Sequence, residues 1–106
     1  MINIDITKNG SLSIVKITGE LNVDTCGDFE KKFPEALNEK IILDMSALRY
    51  ISSAGLRSLV ILYEKVKEKN GKIILANLNE MVREIIEVSG FDALFEIRQT
   101  VEEAQK

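Results

Sequence analysis

The sequence predicts an α/β domain with a mostly parallel sheet of four to five strands, an N-terminal β-hairpin and about four helices. Alternating apolar and polar residues on both sides of an Asn-Gly pair predict the hairpin. Two continuously apolar runs, residues 41–43 and 73–76, are typical of parallel strands that are covered on both faces. Segments with helical spacing separate these runs, which indicates strand-helix-strand units with right-handed crossovers.

Length and composition limit the classes of protein to consider. A chain of 106 residues, 45% of them hydrophobic, predicts one domain over residues 1–106 with its own core. The net charge of -3, with both signs interspersed, argues against binding to nucleic acid. The first residues do not resemble a signal peptide, and no apolar run is long enough to span a membrane. We therefore expect a cytoplasmic protein without direct membrane insertion.

The hairpin is the first predicted element. Three isoleucines at every second position, Ile2, Ile4 and Ile6, predict a strand that is buried on one face. Asn9 and Gly10 are expected to be the central residues of a type I′ turn, in which both positions need positive φ. A second strand should then run over residues 12–18.

A helix should follow the second strand. Asn22, Asp24 and Thr25 can cap it, and Cys26 and the apolar residues that follow it recur at helical spacing up to Leu37. Pro34 should kink this helix or end its first part, because proline removes a backbone hydrogen bond and crowds the preceding turn. Cys26 falls on the apolar side and is interpreted as a core residue.

The stretch of residues 41–66 organises the rest of the chain. Residues 41–44 are predicted to form a short strand that ends in Asp44, residues 45–50 a loop, and residues 51–56 the opening of a helix. Ser52 and Ser53 would then lie at the carboxyl edge of the parallel sheet, where open α/β sheets place their sites. Either serine can serve as the N-cap of the helix.

Helical geometry gives this helix two different sides. The side predicted to face the sheet is apolar and consists of Leu56, Leu59, Val60, Leu62, Tyr63 and Val66. The opposite side carries Ser53, Arg57 and Ile61, which form a candidate docking face. In the alternative interpretation Ile61 is an isolated exposed apolar residue, which is common on the surface of monomers.

The last third of the chain predicts three further elements after the strand at 73–76. Asn77 or Asn79 can cap a helix whose inner face includes Val82 and Ile86. Residues 95–97 can form a short edge strand. Thr100, with a glutamate three residues later, has the form of a capping box and predicts a terminal helix.

The residues that could carry chemistry do not predict an enzyme. The chain has no histidine, one cysteine and no glycine-rich phosphate loop, so we expect no catalytic residue, no metal and no cofactor. Glu20, Asp24 and Asp44 are predicted near the same sheet edge, but acid-base catalysis also needs a deep pocket. We interpret the Asp44 carboxylate as an acceptor for backbone N–H groups of residues 45–48.

Three segments, in order, resemble the STAS domain family, and most closely its small bacterial anti-sigma factor antagonists. Residues 15–21 resemble the strand that leads to the family's Gly-Glu-Leu-Asp segment. Residues 42–56 resemble its Asp-x-Ser…Asp-Ser-Ser/Thr-Gly-Leu signature, and residues 89–97 its Ser/Thr-Gly-Leu…Phe-x-Ile ending. The resemblance implies a single STAS domain that covers residues 1–106.

The resemblance also implies a function. In this family the unphosphorylated antagonist binds an anti-sigma factor that is also a serine kinase, which frees a sigma factor for transcription. Phosphorylation of the signature serine or threonine ends the interaction, and a serine phosphatase restores it. The resemblance therefore implies a partner-switching regulator of transcription that is not an enzyme. We expect a monomer or weak dimer.

Alignment on Gly55 and Leu56 places the family's phosphoacceptor at Ser53. The implied partner-binding residues are Asn22, Asp24, Ser52, Ser53, Arg57 and Ile61. Ser52 stands where the family has an acid just before the acceptor, and Asn22 replaces the aspartate of Gly-Glu-Leu-Asp. Both departures remove a negative charge beside the implied phosphosite. The alternative is a STAS scaffold or adaptor that does not switch, as in stressosome-like or lipid and anion transport assemblies.

Overall fold

A five-stranded sheet in the order β1-β2-β3-β4-β5 forms the centre of the computed structural model, which describes all 106 residues. The strands are β1 Ile2–Asn9, β2 Leu12–Leu21, β3 Lys40–Ile51, β4 Lys72–Ala76 and β5 Glu96–Arg98. β1 and β2 are antiparallel, and the other neighbours are parallel. The predicted hairpin and mostly parallel sheet are confirmed.

Five α-helices and one short 3-10 helix connect or follow the strands. They are α1 Cys26–Lys31, α2 Phe33–Ala36, α3 Ser53–Glu68, α4 Glu80–Val88, the 3-10 helix Phe91–Ala93 and α5 Val101–Gln105. The Asn79 side chain caps α4 by accepting from the Val82 amide at 2.8 Å, and Thr100 caps α5. None of the helices has the length and apolar character needed to cross a membrane.

The hairpin turn differs from the prediction by one residue. Asn9 still pairs with Leu12, so the two central residues are Gly10 and Ser11. Only Gly10 has positive φ, at 62°, which is the pattern of a type II′ turn with glycine in the first central position. The predicted type I′ turn is wrong because Asn9 extends the strand ladder instead of entering the turn.

Pro34 divides the predicted helix into α1 and α2, which raises the number of α-helices from about four to five. The proline lies in the first turn of α2, where its missing N–H costs no helical hydrogen bond. The rings of Phe29 and Phe33 hold the two short helices together with an edge-to-face contact, their centroids 4.9 Å apart. Cys26 is only half-buried and lies at the margin of the core.

β3 is much longer than predicted and passes through the predicted loop at residues 45–50. Its first half lies between β2 and β4, but beyond Asp44 it pairs with β2 alone. The register with β2 shifts twice in this second half, which indicates β-bulges. Bulges interrupt the alternation of side chains along a strand, and this is why the sequence pattern looked like a loop.

The two faces of the sheet are covered unequally. The main core lies between one face and α1 to α4, and it contains 20 buried residues. On the other face α5 covers a cluster of four buried residues, Ile42, Ile74, Ala76 and Ala104. The carboxyl ends of β2 and β3 and the start of α3 all pack on the main core. This shared packing fixes their positions relative to one another.

Candidate functional site

The first turn of α3 packs directly on the end of β2. The Ser52 amide donates to the Leu21 carbonyl at 2.9 Å. A Cβ atom on Gly55 would lie 2.5 Å from the same carbonyl oxygen, which is closer than carbon side chains approach. Only glycine fits at this position. The close contact between Gly55 and the Leu21 carbonyl fixes the start of α3 against β2.

Ser52 and Ser53 have different environments although they are adjacent. Ser52 is the N-cap: its backbone is extended, and its Oγ accepts a hydrogen bond from the Gly55 amide at 3.3 Å. Ser53 is the first helical residue, and its side chain is exposed without a hydrogen bond to the protein. Of the two serines expected as the cap, Ser52 therefore takes this role, and the Ser53 hydroxyl is free.

The loop after β2 is ordered by Asn22 and Thr25. The Asn22 side-chain oxygen accepts from the backbone amides of Asp24 and Thr25 at 2.9 and 3.2 Å. The buried Thr25 hydroxyl donates to the Glu20 carbonyl at 2.8 Å. The uncharged side chain of Asn22 is therefore sufficient to order this turn. The exposed Asp24 carboxylate, which has no ion pair, is thus the acid that this loop presents to solvent.

Arg57 and Ile61 do not share one environment. Arg57 is exposed one turn after Ser53 and on the same side of α3. Ile61 is half-buried and packs against the main core, so its predicted exposure is wrong. α1 packs beside α3, where Ser58 bonds to Glu30, so more of the α3 surface is covered than the side that faces the sheet. The exposed candidates are therefore Ser53 and Arg57 on α3 and Asp24 in the loop after β2.

A hydrogen bond between α1 and α3 was missed by the sequence analysis. The fully buried Ser58 hydroxyl donates to the Glu30 carboxylate of α1. Ser58 lies one turn before Ile61 on the same side of α3, and Ile61 is itself partly buried against the main core, so the protein covers this side of the helix. The sequence contains one signal for this bond, a serine among the apolar residues of α3. This signal does not identify Glu30 as the partner.

Asp44 lies within β3, opposite Lys16, rather than at the end of a strand. Its carboxylate accepts from the Ser46 amide at 3.0 Å and from the Asn77 side chain at 3.1 Å. Burial raises the pKa of Asp44, but these hydrogen bonds and the Lys16 charge outweigh it and lower the pKa below the usual 3.8. The interpretation of Asp44 as an acceptor for the following backbone is confirmed.

The acids predicted at one edge do not form a cluster. Glu20 makes an exposed ion pair with Arg49, at 4.0 Å, while Asp44 is held in the β3 interior. No three residues of the types that bind metals are grouped so that they could hold an ion. Neither of the two surface pockets includes Ser53 or Arg57. The arrangement at the start of α3 is thus an open surface.

The chemistry available on this surface is that of an exposed hydroxyl at the start of a 16-residue helix. The first N–H groups of a helix lack helical acceptors, and the helix dipole is positive at this end. Both features stabilise an anion, so a phosphate on the Ser53 oxygen is compatible with the fold.

Comparison with known proteins identifies the family. The family model described as STAS domain matches residues 3–104. The protein BtrV of Bordetella bronchiseptica is 37% identical over 65 residues, which are 61% of this chain and 56% of that protein. The anti-sigma F factor antagonist of Paenibacillus polymyxa is 26% identical over 84% of this chain and 80% of its own.

Solved structures agree with this comparison at the level of the fold. The crystal structure of an anti-sigma factor antagonist from Mycobacterium paratuberculosis superposes with a TM-score of 0.89. The two sequences are 23% identical, and the match covers 99% of this chain and 92% of the other. Since the family model covers almost every residue, the chain belongs to the STAS domain family.

Proposed function

We propose that this protein is an anti-sigma factor antagonist whose binding to an anti-sigma factor serine kinase is controlled by phosphorylation of Ser53. One observation carries the proposal: at the family's acceptor position, Ser53 is exposed and free of hydrogen bonds, on a helix whose start is fixed against β2. The name of the Paenibacillus polymyxa relative supports the same role. In this proposal the protein is a binding module of the cytoplasm, where sigma factors act, and not a catalyst.

The proposed contact surface consists of Ser53, Arg57 and the loop that carries Asp24. Its lack of a pocket suits a protein partner better than a small substrate, since small-molecule sites are concave. Arg57 and Asp24 present opposite charges on this surface, which favours a partner with a complementary pair. Asn22 and Ser52 support the surface by ordering the loop and capping the helix.

Phosphorylation would act on the partner and not on the fold. A phosphate adds about -1.5 to -2 charges and strongly hydrated oxygens to Ser53. The start of α3 accommodates this anion, whereas a partner that excludes water or carries an acid at this point is rejected by desolvation and repulsion. A serine phosphatase would reverse the modification and restore binding.

The residues beside Ser53 define the kinase that fits. Ser52 and Asn22 are uncharged, so Asp24 is the one acid among the implied partner-binding residues. A matching kinase therefore recognises Ser53 without a preceding aspartate. Ser52→Asp tests this point, because aspartate caps a helix about as well as serine. If the kinase depends on an acid there, Ser52→Asp is phosphorylated faster than wild type. An equal rate would show that the kinase reads other features.

The decisive experiment treats wild type, Ser53→Ala and Ser52→Ala with anti-sigma factor serine kinases of the same organism, and measures phosphate by intact mass. Wild type and Ser52→Ala should each gain one phosphate, while Ser53→Ala gains none and still binds the partner. Ser52→Ala is the matched control, because it removes a neighbouring hydroxyl that already has a structural role. Phosphate on Ser53→Ala but not on Ser52→Ala would move the site by one residue.

A second candidate function is a STAS scaffold or adaptor that does not switch. The observation that favours it is that both departures from the family's acids, Ser52 and Asn22, make neutral hydrogen bonds that serve the fold. In this case no kinase phosphorylates the chain, and Ser53→Asp binds its assembly as well as wild type does. Intact mass of the protein from its native cells separates the two functions.

A further inference from the structure

β1 is an open edge of the sheet, and its free backbone groups can be assigned. The sheet order ends at β1, so one side of this strand has no neighbour. The Met1 carbonyl accepts from the Glu20 amide, and the register with β2 is unbroken. Since antiparallel pairs alternate, odd-numbered residues bond to β2 and the even-numbered ones, from Ile2 to Lys8, point their N–H and C=O groups outward.

Apart from one charged residue at its centre, Asp5, β1 lacks the usual protections of an edge strand. It contains no proline and no bulge, and its one lysine, Lys8, is close to the hairpin turn. The side chains of Ile2, Ile4 and Ile6 pack on the margin of the main core but remain partly exposed. An edge with these features is suited to adding a further strand.

We infer that β1 pairs in antiparallel fashion with β1 of a second copy of this chain, around a two-fold axis at Ile4. In this register Ile4 lies opposite the partner's Ile4, and Ile2 lies opposite the partner's Ile6. The pairing forms about six backbone hydrogen bonds and joins two sheets into one of ten strands. This inference does not depend on the proposed function.

Charge and polarity select this register over its neighbours. With the axis at Ile4, Asn3 lies opposite the partner's Asp5, and its amide has a second N–H beyond the one donated to its own Asp5 at 3.1 Å. An axis at Asp5 would place two carboxylates directly opposite each other, which is destabilising. An axis at Ile6 would place Lys8 opposite an isoleucine. Only the axis at Ile4 pairs every isoleucine of the strand with another.

The test changes Asn3, because its side chain is exposed and plays no part in the core. Sedimentation equilibrium over a range of concentrations gives the dimer dissociation constant. Asn3→Lys places a cation opposite the partner's Asp5 at two symmetric positions and should lower this constant by roughly tenfold. Asn3→Asp should raise it by a similar factor. Thr18→Lys and Thr18→Asp are the matched controls, since Thr18 lies opposite Asn3 on β2, away from the free edge.

Hydrogen exchange provides a second and independent measurement. The outward amides of Ile4 and Ile6 should exchange rapidly in dilute protein and become protected as the concentration rises. The amides of Asp5 and Thr7 bond to β2 and should be protected at all concentrations. Wild type that stays monomeric throughout would overturn the inference. So would a dimer in which Ile4 and Ile6 stay unprotected, or in which both Asn3 variants shift the constant in one direction.

Discussion

The two sides of α3 differ in how strongly the fold depends on them. On the inner side Gly55 contacts the backbone of β2, and Leu59 is completely buried in the main core. On the outer side Ser53 and Arg57 are exposed and make no hydrogen bond or ion pair within the protein. The position of the outer residues is therefore set by the inner ones, which leaves the outer residues free to be modified or to bind.

This separation has a consequence for regulation. A switch that worked through refolding would need its residues inside the core, where a change of charge would cost several kcal/mol. Ser53 instead lies in the first turn of α3, where added negative charge is favoured by the dipole. The comparison thus predicts large effects on stability from inner substitutions and effects on binding alone from outer ones.

The largest expected effect is that of Leu59→Ala. Removing a fully buried leucine side chain loses its burial and leaves a cavity, which should lower the free energy of unfolding by about 2 to 5 kcal/mol. Chemical denaturation measures this change. Arg57→Ala, two residues earlier on the outer side, is the control and should change stability by less than about 0.5 kcal/mol. Equal effects of both variants would remove the distinction between the two sides.

Gly55→Ala should have the next largest effect. The added Cβ would meet the Leu21 carbonyl, so the start of α3 must shift, at a cost of about 1 to 3 kcal/mol. Gly27→Ala is the matched control: Gly27 is also helical, and a Cβ there meets nothing within 4 Å. Since alanine favours helix over glycine, the control should be neutral or stabilising. A harmless Gly55→Ala would contradict the close contact between α3 and β2.

Local patterns in the sequence predicted the order of the strands and helices but not the β-bulges in β3. The buried strand at residues 41–43 follows from a continuous apolar run, and the strands of the hairpin follow from alternating apolar and polar residues. The second half of β3 was predicted as a loop because bulges place extra residues in the strand and interrupt this periodicity. Whether a bulged segment pairs depends on its neighbour, here β2, and one strand's sequence does not contain that information.

The residues of the candidate site were also predicted from a local pattern, the helical wheel of α3, and only some of them were placed on the correct side. Ser53 and Arg57 were placed correctly because helical geometry alone determines which side of α3 faces the sheet. Ile61 was placed incorrectly because it packs against the main core, and the wheel of one helix does not show which elements lie beside it. The loop predicted at residues 45–50 and the exposure predicted for Ile61 were therefore both wrong because they depend on long-range contacts, which local propensity does not contain.

Ser52→Ala is expected to have a moderate effect, since Ser52 belongs to neither side of the helix. Losing the cap leaves the Gly55 amide without its acceptor and should cost about 0.5 to 2 kcal/mol. Thermal or chemical denaturation beside Ser53→Ala measures the difference between two adjacent serines. Ser52→Asp should recover most of the lost stability, because aspartate also caps. If Ser53→Ala proved the more destabilising variant, the cap would have to be reassigned to Ser53.

The smallest expected effect on stability, and the largest on binding, belongs to Ser53. Ser53→Ala removes an exposed hydroxyl without partners, so the free energy of unfolding should change by less than about 0.5 kcal/mol. Phosphorylated wild type should remain folded, with an unchanged circular dichroism spectrum, because the first N–H groups of α3 can donate hydrogen bonds to the anion. Its affinity for the partner should nevertheless fall, as titration calorimetry would measure.

Ser53→Asp separates charge from the other properties of the phosphate. One carboxylate carries less charge and bulk than a phosphate, so this variant should lose only part of the affinity. Arg57→Ala tests whether the neighbouring cation shapes the response: it is close enough to pair with a charge at Ser53, one turn away. If this pairing weakens the repulsion felt by the partner, phosphorylation should reduce binding further in Arg57→Ala than in wild type. A phosphorylated protein that lost affinity only by unfolding would show that the outer side of α3 is not independent of the core.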